Sequence, residues 1–121
     1  MNGADFRRHV GGLREEIIGN EKREVINDVH AFRDIVKELR VLARCTPYDK
    51  YILAIGLQNE GNIVAVTGSS SNDVPCLIKS DVGFALGLDG SESTKEACDI
   101  ILLDDNFGSL VTSIKWGRSI Y

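Results

Sequence analysis

Short polar side chains at residues 67–73, which read Thr-Gly-Ser-Ser-Ser-Asn-Asp, are the groups in this chain best suited to chemistry. They follow an apolar run at 63–66 and precede a predicted helix at 74–79. The end of a buried strand is where an open α/β sheet binds ligands, and hydroxyls and backbone N–H groups before a helix can hold phosphate. The alternative is a serine-rich turn with Asn72 or Asp73 as helix N-cap, which spacing alone favours.

Lys50 is the second candidate. It lies in the first turn of a helix predicted to begin after Thr46, where the helix dipole disfavours a cation. Two interpretations stay open at this point. Either Lys50 extends past the helix start toward an anion at the strand ends, or it is a solvated surface lysine.

Asp104 and Asp105 follow an apolar strand predicted at 99–103 and superficially resemble a catalytic carboxylate at a strand end. Asn106 and Phe107 begin a helix directly afterwards, so no small-residue loop follows the carboxylates. We therefore expect a turn and a helix cap there rather than a nucleophile.

Cysteine and histidine usage gives no metal or redox motif. Cys45, Cys76 and Cys98 lack paired spacing, so we expect small buried hydrophobes in a reducing compartment. His9 and His30 lie in polar surroundings and are predicted to be surface histidines.

Composition limits the class of protein. The chain has 121 residues, 43% hydrophobic and 26% charged, which is typical of one globular domain. A net charge of -4 argues against a nucleic-acid binder. No apolar run approaches the roughly 20 residues of a membrane helix, and no secretory signal is visible.

Strands and helices alternate along the second part of the chain. Strands are predicted at 41–43, 63–66, 82–85 and 99–103, and helices at 48–57, 73–79, 91–97 and from Asn106 onward. Thr46, Pro47 and Asp49 form a helix-start signature close to a capping box. This order predicts an α/β fold with a mostly parallel sheet covered by helices on both faces. Residues 1–36 are charge-rich and are expected to be weakly structured or to form short helices.

Several ordered motifs together resemble the C-terminal half of the phosphorylation domain of P-type ATPases, in particular the plasma-membrane, calmodulin-regulated calcium pumps. The segments that carry the resemblance are 37–50, 64–68, 72–77, 81–87 and 99–107. Residues 3–8 resemble the preceding segment of those pumps more weakly, and 116–121 resemble the stalk that leads into a membrane helix. We accordingly divide the chain into an N-terminal segment, 1–36, and a partial phosphorylation domain, 37–121.

The resemblance implies a partial haloacid-dehalogenase-like Rossmann fold. It assigns phosphoryl contacts to Lys50, Thr67, Asn72 and Asp73, and cofactor contacts to Lys50, Gly68 and Asn72. The family loop reads Thr-Gly-Asp-Gly-x-Asn-Asp, and its first aspartate helps to hold Mg²⁺. Ser69 stands at that position here, so the resemblance implies at most weak metal binding through Asp73. The family uses ATP and Mg²⁺, whereas no cofactor is expected for this chain alone.

The family's nucleophile motif, Asp-Lys-Thr-Gly-Thr, does not occur in this sequence. The leading hypothesis is therefore a catalytically incompetent, pump-derived domain that acts by binding. The alternatives are one fragment of a split or truncated active calcium pump, and a small phosphate- or nucleotide-binding module. A sheet without its nucleophile strand leaves an open edge, which residues 1–36 fill or a homodimer or another partner covers. The expected location is cytoplasmic, at the cytosolic face of a membrane for a pump fragment.

Overall fold

A computed structural model describes all 121 residues, which divide into two compact units, Met1–Val64 and Ala65–Tyr121. The first unit contains α1 (Gly3–Val10), β1 (Leu13–Ile18), β2 (Glu21–Ile26), α2 (Val29–Glu38) and α3 (Pro47–Asn59). The second contains β3 (Ala65–Gly68), a 3-10 turn (Ser71–Asp73), α4 (Val74–Lys79), β4 (Val82–Leu86), α5 (Glu92–Ala97), β5 (Ile100–Leu102) and α6 (Phe107–Ile120).

The N-terminal segment is more ordered than its sequence indicates. Strands β1 and β2 form an antiparallel hairpin whose register pairs Ile18 with Glu21 across a two-residue turn, Gly19-Asn20. Gly19 has a φ of 63°, which a hairpin turn of this length requires. The prediction of a weakly structured segment or short helices missed this hairpin, because the charged strands show no clear apolar alternation. The Gly-Asn dipeptide is the signal that could have found it.

Two aromatic rings anchor the core of the first unit. Phe6 on α1 and Phe32 on α2 are fully buried, with ring centroids 6.4 Å apart at a tilted angle of 59°. Val10, Ile26 and Ile52 complete the buried cluster. Four of these five side chains belong to residues 1–36, so the helices and the hairpin of that segment are part of the core. Burying each side chain stabilises the fold by about 1.5–3 kcal/mol.

The second unit is a parallel three-stranded sheet in the order β3-β4-β5, with Val66 beside Gly83 and Ala85 beside Ile101. The α/β class and the parallel pairing are therefore confirmed. The hairpin of β1 and β2 is a separate sheet, so residues 1–36 add no strand to the parallel one. The expectation that residues 1–36 fill the open edge of the parallel sheet was therefore wrong. Cover by a homodimer or another partner stays a prediction.

Two predicted strands differ in the structure. Residues 41–43 form no strand, and Ala43 makes only an isolated parallel bridge with Asn2. The strand predicted at 63–66 begins two residues later, at Ala65, and Ile63 is 86% exposed. In both cases a short apolar run favoured a strand but lacked a neighbouring strand with which to pair.

Helix α6 begins directly after Asn106, close to its predicted start. Its N-cap is Asn106, whose side chain accepts a hydrogen bond from the Gly108 N–H, and not Asp104 or Asp105, where the cap was predicted. None of its residues is buried. No helix in the structure combines the length and apolar character needed to cross a bilayer.

Candidate functional site

The polar loop after β3 is organised around the carboxylate of Asp73. Its Oδ2 accepts hydrogen bonds from the N–H of Ser69 at 3.1 Å, from the N–H of Ser70 at 3.3 Å and from the hydroxyl of Ser70 at 3.4 Å. Ser70 caps the 3-10 turn, with Asp73 as the reciprocal partner of a capping box. The loop donors that phosphate would require are therefore directed at a carboxylate of the chain itself.

Glycine is required just before this loop. A Cβ on Gly68 would lie 2.7 Å from the Cβ of Asp73 and 3.1 Å from a methyl of Leu77. On the other side, the carbonyl of Ser69 accepts the N–H of Ser91 at 3.1 Å. The loop is thus fixed at both ends, and the side chain of Asp73 fills the space that Gly68 leaves.

The loop residues do not fit a magnesium ion. Ser69 supplies a neutral hydroxyl at the position where the resemblance implies a carboxylate, and Mg²⁺ prefers charged oxygens. Asp73 accepts three hydrogen bonds through one oxygen, and no group of three His, Cys, Asp or Glu residues in the structure could hold a metal ion. The arrangement is that of a capped turn. Asp73 stands at the N-cap position of α4, as one of the two predicted residues, but its side chain makes no cap bond to that helix and instead forms a capping box with Ser70 on the 3-10 turn.

Replacing Asp73 with alanine is expected to lower the free energy of unfolding by about 1 kcal/mol, because a capping carboxylate is lost. The exchange of the Ser69 and Ser70 amide hydrogens should accelerate at the same time. Asn72→Ala is the matched control, since Asn72 is adjacent and exposed and makes no side-chain hydrogen bond. Equal destabilisation by both variants, in urea unfolding and hydrogen exchange, would contradict this role of Asp73.

Lys50 lies in the first turn of α3, in the other compact unit, and is half-buried. The start of this helix is strongly fixed. Thr46 and Asp49 form a complete capping box, in which the Thr46 N–H donates to Asp49 at 2.7 Å and the Asp49 N–H donates to the Thr46 hydroxyl at 3.3 Å. The helix start predicted from the sequence is confirmed, and the backbone that carries Lys50 is well defined.

A guanidinium from α1 completes this helix start. Arg7 donates to both carboxylate oxygens of Asp49 at 2.7 Å and to the Thr46 hydroxyl at 2.9 Å. Asp49 is completely buried, whereas the side chain of Arg7 is 35% exposed. Sequence reasoning assigned Asp49 to the cap but missed Arg7, because no local pattern links positions 42 residues apart.

The two aspartates after β5 serve the turn, as predicted. The carboxylate of Asp105 accepts the N–H groups of Leu88 and Asp89 at 2.9 and 2.7 Å. Asp104 accepts the Ser109 hydroxyl at 2.6 Å and the Asn106 N–H at 3.2 Å. These hydrogen bonds, that of Ser109 foremost, lower the pKa of Asp104, so this carboxylate stays ionised to lower pH than an ordinary aspartate.

The burial predicted for the cysteines and histidines is confirmed for most of them but not for Cys45. Cys76 is buried and Cys98 half-buried, but Cys45 is exposed, so its prediction as a buried hydrophobe was wrong. Cys45 follows Arg44, whose φ of 53° marks the sharp bend leading into α3. His9 and His30 lie at the surface, as predicted.

The chain is similar to curated calcium pumps over most or all of its length. It is 44% identical over its whole length to plasma membrane calcium-transporting ATPase 1 of Homo sapiens, of which it spans 10%. It is 42% identical over 92% of its length to the plasma membrane-type calcium-transporting ATPase 4 of Arabidopsis thaliana. It is 55% identical over 72% of its length to calcium-transporting ATPase 2 of Schizosaccharomyces pombe. The chain therefore spans about a tenth of the length of these relatives or less.

A solved structure supports the same assignment. The catalytic domain of the CPx-ATPase CopB-B matches with a TM-score of 0.58 and 31% identity, covering 69% of this chain and 34% of that one. No family model matches the chain.

Fold and sequence together define a P-type ATPase phosphorylation domain of the haloacid-dehalogenase-like class, and this chain belongs to that family. Within the family, its relatives place it with the calcium-transporting ATPases, of which it corresponds to one segment of the phosphorylation domain.

Proposed function

We propose that this chain is a pump-derived phosphorylation-domain segment that cannot transfer a phosphoryl group by itself and acts by binding. The observation that carries the proposal is the loop at 69–73, where a serine replaces the family aspartate and Asp73 occupies the loop donors. Phosphoryl transfer requires a nucleophile together with charge neutralisation around the transferred group. The chain has no Asp-Lys-Thr-Gly-Thr nucleophile motif. The one carboxylate of its loop, that of Asp73, already accepts hydrogen bonds from Ser69 and Ser70.

Magnesium titration tests the loop directly. In a heteronuclear NMR titration with Mg²⁺, the amides of Ser69–Asp73 in the natural chain should not shift saturably. Ser69→Asp should introduce such shifts, because the substitution restores a charged oxygen at the family position. Ser71→Asp, which adds the same charge at an exposed position two residues away, is the matched control and should not. Saturable shifts of equal size in the natural chain and in Ser69→Asp would overturn the proposal.

A second candidate function is that of one fragment of an active calcium pump, completed by a polypeptide that carries the nucleophile. Two observations favour it: the relatives are about ten times longer, and the apolar residues of α6 are exposed rather than packed. In that case the chain would reside at the cytosolic face of a membrane. Recovery of a membrane-bound partner containing Asp-Lys-Thr-Gly-Thr with the tagged chain would support this function over the first.

A third candidate, a small phosphate- or nucleotide-binding module, has less support. Lys50 and the loop would have to act together, but the amides of Ser69 and Ser70 already donate to Asp73. We therefore expect inorganic phosphate and ATP to leave these two amide resonances unchanged. Saturable shifts at Lys50 and at the loop in the same titration would favour the module instead.

A further inference from the structure

A cleft lies between strand β2, helix α2 and the C-terminal end of α3. It consists of two adjoining cavities, of about 200 and 500 Å³, whose walls share Arg33 and Glu60. Apolar or small residues that are buried or half-buried line the smaller cavity: Val25, Ile26, Val29, Phe32 and Gly56. Arg23 of β2 and Arg33 of α2 line the same cavity. A recess that combines apolar walls with a few convergent polar groups is typical of a small-molecule site.

The smaller cavity carries an excess of positive charge. Arg23 donates two hydrogen bonds to the side-chain oxygen of Asn59, from Nε at 3.2 Å and from Nη2 at 2.9 Å. That oxygen belongs to a neutral amide. Arg33 donates from Nε to the carboxylate of Glu60 at 2.8 Å, which makes an ion pair. Two guanidinium groups and a single carboxylate therefore line the cavity, and the charge of Arg23 is the one left unmatched.

The side chain of Arg23 is held in place without being neutralised. Asn59 presents its oxygen to Arg23 because its own NH₂ group donates to the carbonyl of Glu24 at 3.0 Å. Glu16 is opposite Arg23 in the register of the hairpin but pairs with Arg14 instead, at 2.9 Å. A guanidinium has five N–H groups, of which Asn59 takes two on Arg23. The remaining donors of an ordered, planar cation suit a carboxylate.

We propose that the smaller cavity binds a small organic carboxylate that carries a single ring or a branched aliphatic group. The carboxylate accepts hydrogen bonds from Arg23 and Arg33, and the apolar group packs among the apolar residues of the cavity. A volume of about 200 Å³ has room for one ring with its carboxylate. The site lies in the first unit and uses none of the loop residues 69–73, so its test is separate from that of the proposed function.

Phenylacetate is the probe, in an NMR titration of the full chain up to about 20 mM at constant ionic strength. We expect saturable shifts of the Arg23, Phe32 and Asn59 amides, with a dissociation constant on the order of 1 mM, as for other fragment-sized ligands. Acetate, which lacks the ring, and 2-phenylethanol, which lacks the charge, should each bind at least about tenfold more weakly. Equal affinity of phenylacetate and either control would overturn the proposal, as would the absence of saturable shifts at these amides.

Two charge substitutions should change the affinity in opposite directions. Arg23→Gln should raise the dissociation constant of phenylacetate about tenfold, because it removes the unmatched cation. Glu60→Gln should lower it about threefold, because it removes the carboxylate that competes for Arg33, and a folding defect would not produce a gain in affinity.

Lys22→Gln is the matched control for Arg23→Gln. Lys22 precedes Arg23 on β2, its side chain is 74% exposed, and it lines neither cavity. This variant should leave the dissociation constant within about twofold of the natural value. If Arg23→Gln and Lys22→Gln weaken binding equally while circular dichroism shows both folded, the carboxylate responds to overall charge and the proposal is wrong. Weaker binding by Glu60→Gln than by the natural chain would contradict it as well.

Filling the cavity from within gives an independent readout of the apolar part. Val25→Phe adds a ring at a half-buried strand position that lines the cavity, and it should raise the dissociation constant of phenylacetate about tenfold or more. Val41→Phe makes the same change at a position that is 71% exposed and lines neither cavity, and it should leave the affinity within about twofold. Unchanged affinity in a folded Val25→Phe variant would show that the ligand lies elsewhere and would overturn the proposal.

Discussion

Replacing Arg7 with methionine should lower the free energy of unfolding by about 3 kcal/mol, because it leaves a buried carboxylate without its cation. Asp49 is completely buried and receives both of its charge-assisted hydrogen bonds from Arg7 at 2.7 Å. Losing one partner of a buried pair typically costs about 3–5 kcal/mol, and we expect the lower end because Arg7 is 35% exposed. Urea unfolding followed by circular dichroism measures the change.

The control is a second arginine pair that is exposed. Arg33→Met removes the contact with Glu60 at 2.8 Å, where the arginine side chain is 52% exposed, and should destabilise the chain far less than Arg7→Met does, because water screens an exposed pair. Arg7→Lys should fall between the natural chain and Arg7→Met, because an ammonium keeps the charge but loses part of the hydrogen-bond geometry. If Arg7→Met and Arg33→Met destabilise equally, Asp49 does not depend on Arg7 in the manner described.

Replacing Gly56 with alanine should destabilise the first unit by about 1–3 kcal/mol, since the new methyl group has no space. A Cβ there would lie 2.5 Å from one ring carbon of Phe32, with two further ring carbons in contact as well. The ring is 1% exposed and packs against Phe6, so it cannot move aside without disturbing the core. A shift of the urea midpoint with unchanged m value is the expected observation.

A second glycine on a helix provides the matched control. Gly117→Ala adds the same methyl group to α6, where no atom lies within 4 Å of it, and should stabilise the helix by about 0.5–1 kcal/mol. Combining Gly56→Ala with Phe32→Leu should cost less than the sum of the two single changes, because the smaller side chain makes room. Strict additivity of these two substitutions would show that the methyl group does not meet the ring.

The elements that were predicted well are those with local signals. The start of α3 was identified because Thr46, Pro47 and Asp49 form a helix-start signature, and the structure shows the complete capping box. Asn106 likewise marked the start of α6. The hairpin at Leu13–Ile26 and the absence of a strand at 41–43 were missed, because strand formation depends on a distant partner rather than on the local run.

In the candidate site, too, the features with a local sequence signal were predicted and the contacts that depend on tertiary geometry were not. Residue type and order identified Asp73 as a candidate helix cap, whereas Ser69 as a changed residue and Asp73 as a weak metal ligand are what the family resemblance implies. The sequence could not show that the carboxylate of Asp73 turns back onto the amides of Ser69 and Ser70, because that depends on backbone geometry. It also missed Arg7, whose contact with Asp49 exists only once α1 packs beside α3.

Labelling with ATP tests the central claim most directly. The chain is incubated with γ-labelled ATP and Mg²⁺, with and without Ca²⁺, quenched in acid and separated on an acidic gel, beside membranes that contain a full-length calcium pump. The membranes should give an acid-stable phosphoenzyme. The natural chain and Ser69→Asp should both give none, because neither contains the nucleophile motif. An acid-stable labelled band at the mass of the chain would contradict the account.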